Sequence, residues 1–245
     1  MAQCQAGTYQ YVVQRGDSLW LIGQRFRVTV QQIAAANPGI DAGNLYVGQI
    51  ICVPASNARN PETGGCISSA QVSVGNRLRM LWEQHVYWTR MAIISMAFGL
   101  PDTKATTERL LENPGDFEEA LKPLYGEKVS SQFAKLFTSH LVIAAELVGD
   151  LKAGDASAAA ETEKQWYANA NEIADFLGSV NPYWSAAEWR RLLNDHLAMT
   201  REEAAAVLAG QYAKSVAIFG NIEKEALVMA DAMTQGIVRQ FPQYF

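Results

Sequence analysis

Histidine offers the widest chemistry in this sequence, and the chain contains three: His85, His140 and His196. An imidazole can ligate a metal or transfer a proton near neutral pH. His85 lies about fourteen residues before the end of one predicted helix, and His140 about fourteen after the start of a later one. Antiparallel helices would bring both rings to one level, so we predict a polar layer across the helical core. Its other predicted members are Asn169 and either Gln211 or Ser215.

This layer allows two interpretations. A metal site would use His85 and His140, because helical bundles hold metals between facing helices. However, the sequence has no Glu-x-x-His pair, and the nearby acids Glu83, Glu146 and Glu172 lie off the apolar stripes. Two histidines with amides are a poor ligand set. The pattern therefore favours hydrogen-bonded core histidines that fix the helix register, and we predict no cofactor.

The third histidine follows an acid, and a further acid lies on a predicted core stripe. Adjacent helical residues point about 100° apart, so Asp195 and His196 do not face each other, and we predict surface and capping roles for them. A buried carboxylate at Glu225 would be a functional-site candidate. We expect it to form a salt bridge, with Arg90 as one partner.

Motifs for catalysis are scarce. The sequence has no nucleophile elbow, no glycine-rich phosphate loop and no CxxC. A glycosidase would need two carboxylates about 5 to 9.5 Å apart across a cleft, for which Glu83, Glu146 and Glu225 are candidates. We therefore favour a non-catalytic protein and keep an enzyme as the alternative.

Apolar residues recur at helical spacing from residue 68 to the end. Four long helices are predicted, at about residues 69–99, 126–152, 156–180 and 200–240. Short helices are predicted at about residues 103–113, 116–125 and 185–196. Capping boxes at Ser185 and Thr200 start the last two helices. This pattern predicts an antiparallel helical bundle.

The amino-terminal segment has a different pattern. Residues 11–13 form an apolar β-prone run, and a turn then leads to a helix that begins near Ser18. Thr29 can cap a second helix, which Asn37-Pro38 ends. Residues 45–53 form a second strand. The predicted order is βααβ, which makes the whole chain α+β with an all-α remainder.

Three blocks of this segment, residues 11–23, 37–40 and 47–54, resemble the LysM family in order and spacing. LysM modules hold N-acetylglucosamine polymers, and the resemblance covers roughly residues 8–54. It implies a shallow carbohydrate groove between two loops. Carried over by motif position, the groove residues are Gly16, Asp17, Ser18, Leu19 and Trp20 on one side and Asn37, Pro38, Gly39 and Ile40 on the other.

Two details qualify this resemblance. The side chains of Leu19 and Ile22 are expected to serve only the fold. Gly23 stands where the family usually has alanine, which costs about 1 kcal/mol of helix propensity and leaves the groove untouched.

Three cysteines are present. Cys4 lies just before the first strand and Cys52 within the second, so antiparallel pairing could bring them close. A disulfide would stabilise a domain this small. Free thiols are the equal alternative, because Cys66 leaves an odd count.

Composition limits the classes of partner. The net charge of −5 argues against nucleic acid, whose binding needs a basic face, and against docking on anionic membranes. No run reaches the 18 apolar residues that a membrane span needs. Pro61 and Gly64-Gly65 predict a linker at residues 55–67, between a module at 8–54 and a helical domain at 68–245.

The helical part also resembles the domain that follows LysM in proteins of spore-forming Gram-positive bacteria. The matching phrases are residues 80–85, 88–90, 109–111, 113–114 and 181–184. We expect a bacterial protein that binds peptidoglycan or chitin and thereby tethers the helices to a cell wall or spore. The alternatives are a cell-wall enzyme that LysM targets and a metal-binding bundle centred on His85 and His140. One module binds weakly, so we expect a homo-oligomer.

The first residues carry no signal-peptide pattern. We therefore expect cytoplasmic synthesis, followed by assembly onto a spore or release by lysis, unless the chain is a trimmed form.

Overall fold

The computed structural model describes residues 4, 7–26, 28–41, 45–55 and 67–245. The chain divides into two compact units, residues 1–66 and 67–245. Most of the predicted linker, residues 56–66, lies outside the described residues, as does Cys66.

The amino-terminal unit has the predicted βααβ order. Its elements are β1 (Thr8–Val12), α1 (Leu19–Phe26), α2 (Val30–Ala36) and β2 (Ile50–Pro54). The two strands pair antiparallel, with Thr8 opposite Pro54 and Val12 opposite Ile50. Thr29 caps α2 with a complete capping box. One sheet layer packs against one helix layer, which suffices for a small core.

The core of this unit is a single hydrophobic cluster, to which α1, α2 and β2 all contribute. Its buried members among the described residues are Val13, Leu19, Ile22, Val28, Ile33, Ile51 and Val53. A disulfide joins Cys4 to Cys52, with the two Cα atoms 5.5 Å apart. This bond ties the start of the chain to β2.

The second unit is helical. Its elements are α3 (Ser69–Phe98), α4 (Thr103–Ala153), α5 (Ala156–Val180), α6 (Ala186–Leu208), α7 (Tyr212–Gln240) and a 3₁₀ turn (Pro242–Tyr244). Each helix packs against the next, and α7 also packs against α3, which closes a ring. None of the helices within the described ranges is both long and apolar enough to cross a bilayer.

Helices α3 and α7 of this ring run antiparallel. Arg79 near the start of α3 bonds Asp231 near the end of α7 at 2.6 Å, and Tyr87 bonds Glu223 at 2.8 Å. The predicted all-helical region is therefore confirmed, with its first and last long helices antiparallel.

The prediction of separate helices at 103–113 and 116–125 is wrong, because α4 runs through Pro114. Asn113 is fully buried and its side chain donates to the Leu81 carbonyl of α3 at 3.1 Å. The helix thus continues through Pro114 beside a buried contact to α3, although an interior proline costs roughly 3 kcal/mol. The real break is Gly126, whose φ of 75° is left-handed. There the chain turns back, which sets the Phe117 ring 5.7 Å from that of Phe133.

The predicted short helix at 185–196 and the capping box at Thr200 are also wrong. α6 continues to Leu208, and Thr200 is buried inside it. Glu203, the expected box partner, instead forms an ion pair with Arg90 of α3. The turn to α7 comes at Gly210, where φ is 70°. The described unit thus has five long helices and not four.

Candidate functional site

The first predicted groove loop is fixed by the carboxylate of Asp17. This side chain is 5% exposed and accepts from the Tyr11 hydroxyl at 2.5 Å and from the Gln14 backbone N–H at 2.8 Å. Arg25 lies 3.4 Å from its other oxygen. Burial, and then the bond to Asp17, raise the pKa of Tyr11, so the hydroxyl stays protonated as a donor. Asp17 therefore holds the loop.

The next two residues of this loop also face inward. The Ser18 hydroxyl accepts from the Leu21 N–H at 3.1 Å, which caps α1 as predicted. Ser18 is 7% exposed and Leu19 2% exposed, within the hydrophobic core. Trp20 is half-buried and Gly16 is exposed. A ligand can therefore reach Gly16 and Trp20, whereas the side chains of Ser18 and Leu19 serve the fold.

The second loop is fixed by the amide of Asn37. Its nitrogen donates to the Ile33 carbonyl at 2.7 Å and to the Cys52 carbonyl at 2.6 Å. Its oxygen accepts from the Cys52 N–H at 2.7 Å. Asn37 therefore links the end of α2 to β2, and its side chain has no donor left for a ligand.

The remaining residues of the second loop are accessible. Pro38 and Gly39 are exposed, and Ile40 is half-buried against the same core that contains Leu19. Gly39 has a φ of 84°, and Gly16 in the first loop has a φ of 85°. A side chain at either position would be strained. Both loops therefore meet one core and present mainly backbone and apolar surface.

Gly23 has a packing role, whereas the sequence indicated only a small cost in helix propensity. A Cβ atom there would lie 2.5 Å from the Val28 carbonyl oxygen. The Val28 N–H also donates to the Gly23 carbonyl at 2.9 Å. Alanine would push the end of α1 away from the following turn, so glycine is needed here.

In the helical unit, His140 lies in the predicted polar layer. Its Nδ1 is 2.9 Å from Oδ1 of Asn169, which the sequence placed at this level. His140 is 2% exposed, and desolvation by burial lowers its pKa to about 3. The ring is therefore neutral at pH 7. Phe137 packs between the two predicted histidines, with ring centroids 4.9 Å from His85 and 6.2 Å from His140.

The partner of His85 differs from the prediction. Its Nε2 lies 3.4 Å from Nε2 of His196, and the Nδ1 of His196 lies 3.0 Å from Glu225. His196 is 3% exposed, so the predicted surface and capping role is wrong. Burial, and then the charges of the other two histidines, lower the pKa of His85 well below 6.5. Burial raises the pKa of Glu225.

Helical periodicity could have placed His196 correctly. If α6 is continuous, Leu192, Leu193, His196, Leu197 and Thr200 fall on one buried stripe at spacings of three and four. The false capping box at Thr200 hid that stripe.

The predicted ion pair between Glu225 and Arg90 is also wrong. Arg90 pairs with Glu203, and its guanidinium donates to the Ser215 hydroxyl at 3.2 Å. Ser215 is thus buried but bonds Arg90 and not the histidines, while Gln211 is exposed at the start of α7. Burial raises the pKa of Glu203.

The described residues form no metal-ligand cluster, and two of the candidate glycosidase acids lie in different environments. Within the described ranges, no group of three or more His, Cys, Asp or Glu is placed to hold a metal. Of the candidate glycosidase acids, Glu146 is exposed and Glu225 is buried against His196. Glu225 is therefore committed to an internal pair.

Comparison with known proteins identifies the amino-terminal unit. Residues 11–54 match the LysM domain family. The chain is 36% identical over 85 residues to the Staphylococcus aureus protein named Probable autolysin SsaALP, covering 33% of this chain and 31% of that protein. It is 36% identical over 50 residues to Secreted LysM effector Blys4 of Beauveria bassiana, covering 20% of this chain and 29% of that protein.

The chain thus spans less than a third of the length of either relative. No solved structure matches significantly. Residues 11–54 of this chain form a LysM domain, and the described residues from 67 onward are helical.

Proposed function

We propose that the LysM domain binds a glycan containing N-acetylglucosamine, through the loops at residues 16–20 and 37–40. The observation that supports this proposal is that some residues of those loops hold the domain together while their neighbours are accessible. Asp17 and Asn37 use their side chains inside the domain, while the neighbouring Gly16, Pro38 and Gly39 remain exposed. Two rigid loops with accessible backbone suit a shallow binding site.

The accessible surface matches an uncharged sugar. Exposed backbone N–H and C=O groups can bond an N-acetyl amide, and the partly exposed faces of Trp20 and Ile40 can contact its methyl group and a sugar ring. The only acid of the loops, Asp17, is buried beside Tyr11 and Arg25. The site therefore favours an uncharged sugar unit.

The proposed role of the whole chain is non-catalytic attachment. The LysM domain would hold the helical unit on peptidoglycan or chitin, at a bacterial cell wall or on a spore. Relatives named as an autolysin and as a LysM effector support glycan as the ligand. A single shallow site binds weakly, so a homo-oligomer would raise retention on a polymer by avidity.

The test is retention of the full-length protein on insoluble peptidoglycan and on chitin. Trp20→Ala removes a ligand-facing ring without touching either pinned side chain. We expect about tenfold weaker retention, which corresponds to roughly 1.4 kcal/mol.

Tyr9→Ala is the matched control, because Tyr9 is an aromatic residue 59% exposed on β1 and outside both loops. Retention of this variant should equal that of the wild type. If the wild type binds neither polymer, glycan binding is disproved. Equal losses in the two variants would contradict the assignment of the loops.

A further inference from the structure

The helical unit contains a cavity of about 250 Å³ among α3, α4, α5 and α6. For scale, an engineered apolar cavity of about 150 Å³ takes up benzene. The space here suits a molecule of about ten to fifteen non-hydrogen atoms. A space of this size in an otherwise close-packed unit is more consistent with a binding site than with a packing defect.

The walls of this cavity are mostly apolar. Aliphatic side chains of α3, α4 and α6 make up most of the lining. Two of the lining residues, Leu111 and Val142, are 37% and 49% exposed, so an apolar rim reaches solvent. The only charged lining residue, Arg201, is bound to Glu163 at 2.7 Å. An apolar molecule therefore finds a continuous apolar path into the unit.

One part of the lining is polar, because all three histidines border the cavity. The tautomer of His140 is fixed by its neighbour. Asn169 donates its amide nitrogen to the Leu136 carbonyl at 3.2 Å, so its oxygen accepts from Nδ1 of His140. The neutral imidazole then carries a lone pair on Nε2, which accepts a hydrogen bond.

Further polar atoms of cavity-lining residues have no hydrogen-bond partner among the described residues. They are Nδ1 of His85, Nε1 of Trp166 and Oγ1 of Thr200. Buried polar atoms without partners are rare in folded proteins. These three atoms are fully buried and do not line the accessible space of the cavity. The polar contact left for a ligand is Nε2 of His140, which can only accept, so a ligand hydroxyl can donate to it.

The ionisable groups at the polar end of the cavity that have acidic neighbours are already paired, Arg201 with Glu163 and His196 with Glu225. An ionised ligand would lose its hydration without gaining an unpaired counter-ion, which is costly. We therefore expect an uncharged ligand.

We propose that this cavity is a binding site for an uncharged, mainly apolar molecule of about ten to fifteen non-hydrogen atoms that carries a hydroxyl group. The hydroxyl lies at the histidine end, and the apolar body fills the space toward Leu111 and Val142. This site is independent of the glycan proposal, since every lining residue lies in the helical unit.

Calorimetric titration of the full-length protein with three probes tests the proposal. The probes are 1-naphthol, naphthalene and 1-naphthoate, which share one ring system and differ in the hydroxyl and the charge. We expect 1-naphthol to bind about tenfold more tightly than naphthalene, as one hydrogen bond allows. We expect no measurable binding of 1-naphthoate. Failure of 1-naphthol to bind, or equal binding of 1-naphthoate, would overturn the proposal.

Two variants locate the site. Ala204→Met fills the cavity from α6 and should abolish binding of 1-naphthol, while Ala187→Met, at an exposed position of the same helix, should leave it unchanged. Circular dichroism verifies folding, and Ala144→Leu is the second filling variant if Ala204→Met does not fold. His140→Leu should remove the preference for 1-naphthol over naphthalene. Unchanged binding in the folded filling variant would place the probe elsewhere.

Discussion

Among its described residues, the LysM unit fixes its polar side chains at the edge of a core cluster of seven buried hydrophobic residues. The helical unit instead places His85, His140 and His196 inside a far larger core. In the first unit, Asp17 and Asn37 bond backbone and leave neighbouring loops accessible. In the second, the polar groups bond each other around a cavity. The small domain thus presents accessible loops that buried side chains hold in place, while the larger unit has room to bury its polar side chains.

The disulfide gives the largest difference between the two units. Cys4→Ala opens a link between residues 48 apart in sequence, which should cost the LysM unit about 4 kcal/mol. A domain of this size has little stability beyond that. Hydrogen exchange with mass spectrometry should therefore show loss of protection over residues 8–54 and unchanged protection in α3 to α7.

Cys66→Ala is the control for this experiment and should leave both units protected. Full protection of residues 8–54 in Cys4→Ala would show that the hydrophobic core alone sustains the domain.

Asn37 gives the next largest effect. Asn37→Ala leaves three backbone groups of Ile33 and Cys52 without their partner, which we expect to cost about 3 kcal/mol. Gln31→Ala, at an exposed position of α2, is the control and should change stability little. Chemical denaturation, followed by hydrogen exchange of the β2 amides, measures the stability of both variants. A loss of glycan retention without a loss of stability would instead make Asn37 a ligand contact.

A glycine pair compares local packing across the two units. Gly23→Ala should destabilise the LysM unit by about 1 to 3 kcal/mol, because its methyl group meets the Val28 carbonyl. Gly220→Ala, in α7 with open space around it, should stabilise the helical unit by about 0.5 to 1 kcal/mol. Thermal unfolding of the full chain, monitored by hydrogen exchange in each unit, shows whether each variant is stabilised or destabilised. A stabilising Gly23→Ala would show that α1 can shift.

The pH dependence of stability should belong to the helical unit, which holds all three histidines. The folded pKa of His140 is about 3, below the unfolded value near 6.5, so the unfolded chain binds the extra proton as the pH falls from 6.5. The unit should therefore lose about 1.3 kcal/mol through His140 between pH 7 and 5.5.

Glu225 opposes this trend, because its raised pKa lets the folded state take up a proton as the pH falls. The contribution of His140 is therefore measured as a difference between the wild type and His140→Leu, whose unfolding should depend less on pH by that amount. Identical pH profiles in the two proteins would mean that His140 is protonated in the folded state.

The sequence predicted most of the fold, because its patterns were local. Thr29 and Ser185 cap the helices that they were expected to start. The errors came where tertiary contacts overrode local signals. Helix α4 continues through Pro114, where the neighbouring Asn113 contacts α3. Thr200 and Glu203 fit a capping-box pattern, but Glu203 instead binds Arg90, which is 113 residues away in sequence.

For the proposed site, the sequence selected two loops but not the roles of their side chains. Motif position selected residues 16–20 and 37–40, but it could not separate Asp17 and Asn37, which hold the loops, from Gly16 and Trp20, which face outward. That separation depends on partners such as Tyr11 and Cys52, which only the fold brings near.

The most direct test of the outward-facing site is a titration of the full-length, isotope-labelled protein with an N-acetylglucosamine oligomer, followed by backbone amide NMR. The account predicts shift changes at Gly16, Trp20, Gly39 and Ile40, and none in α3 to α7. Shift changes confined to the helices, or absent at saturating oligomer, would contradict it.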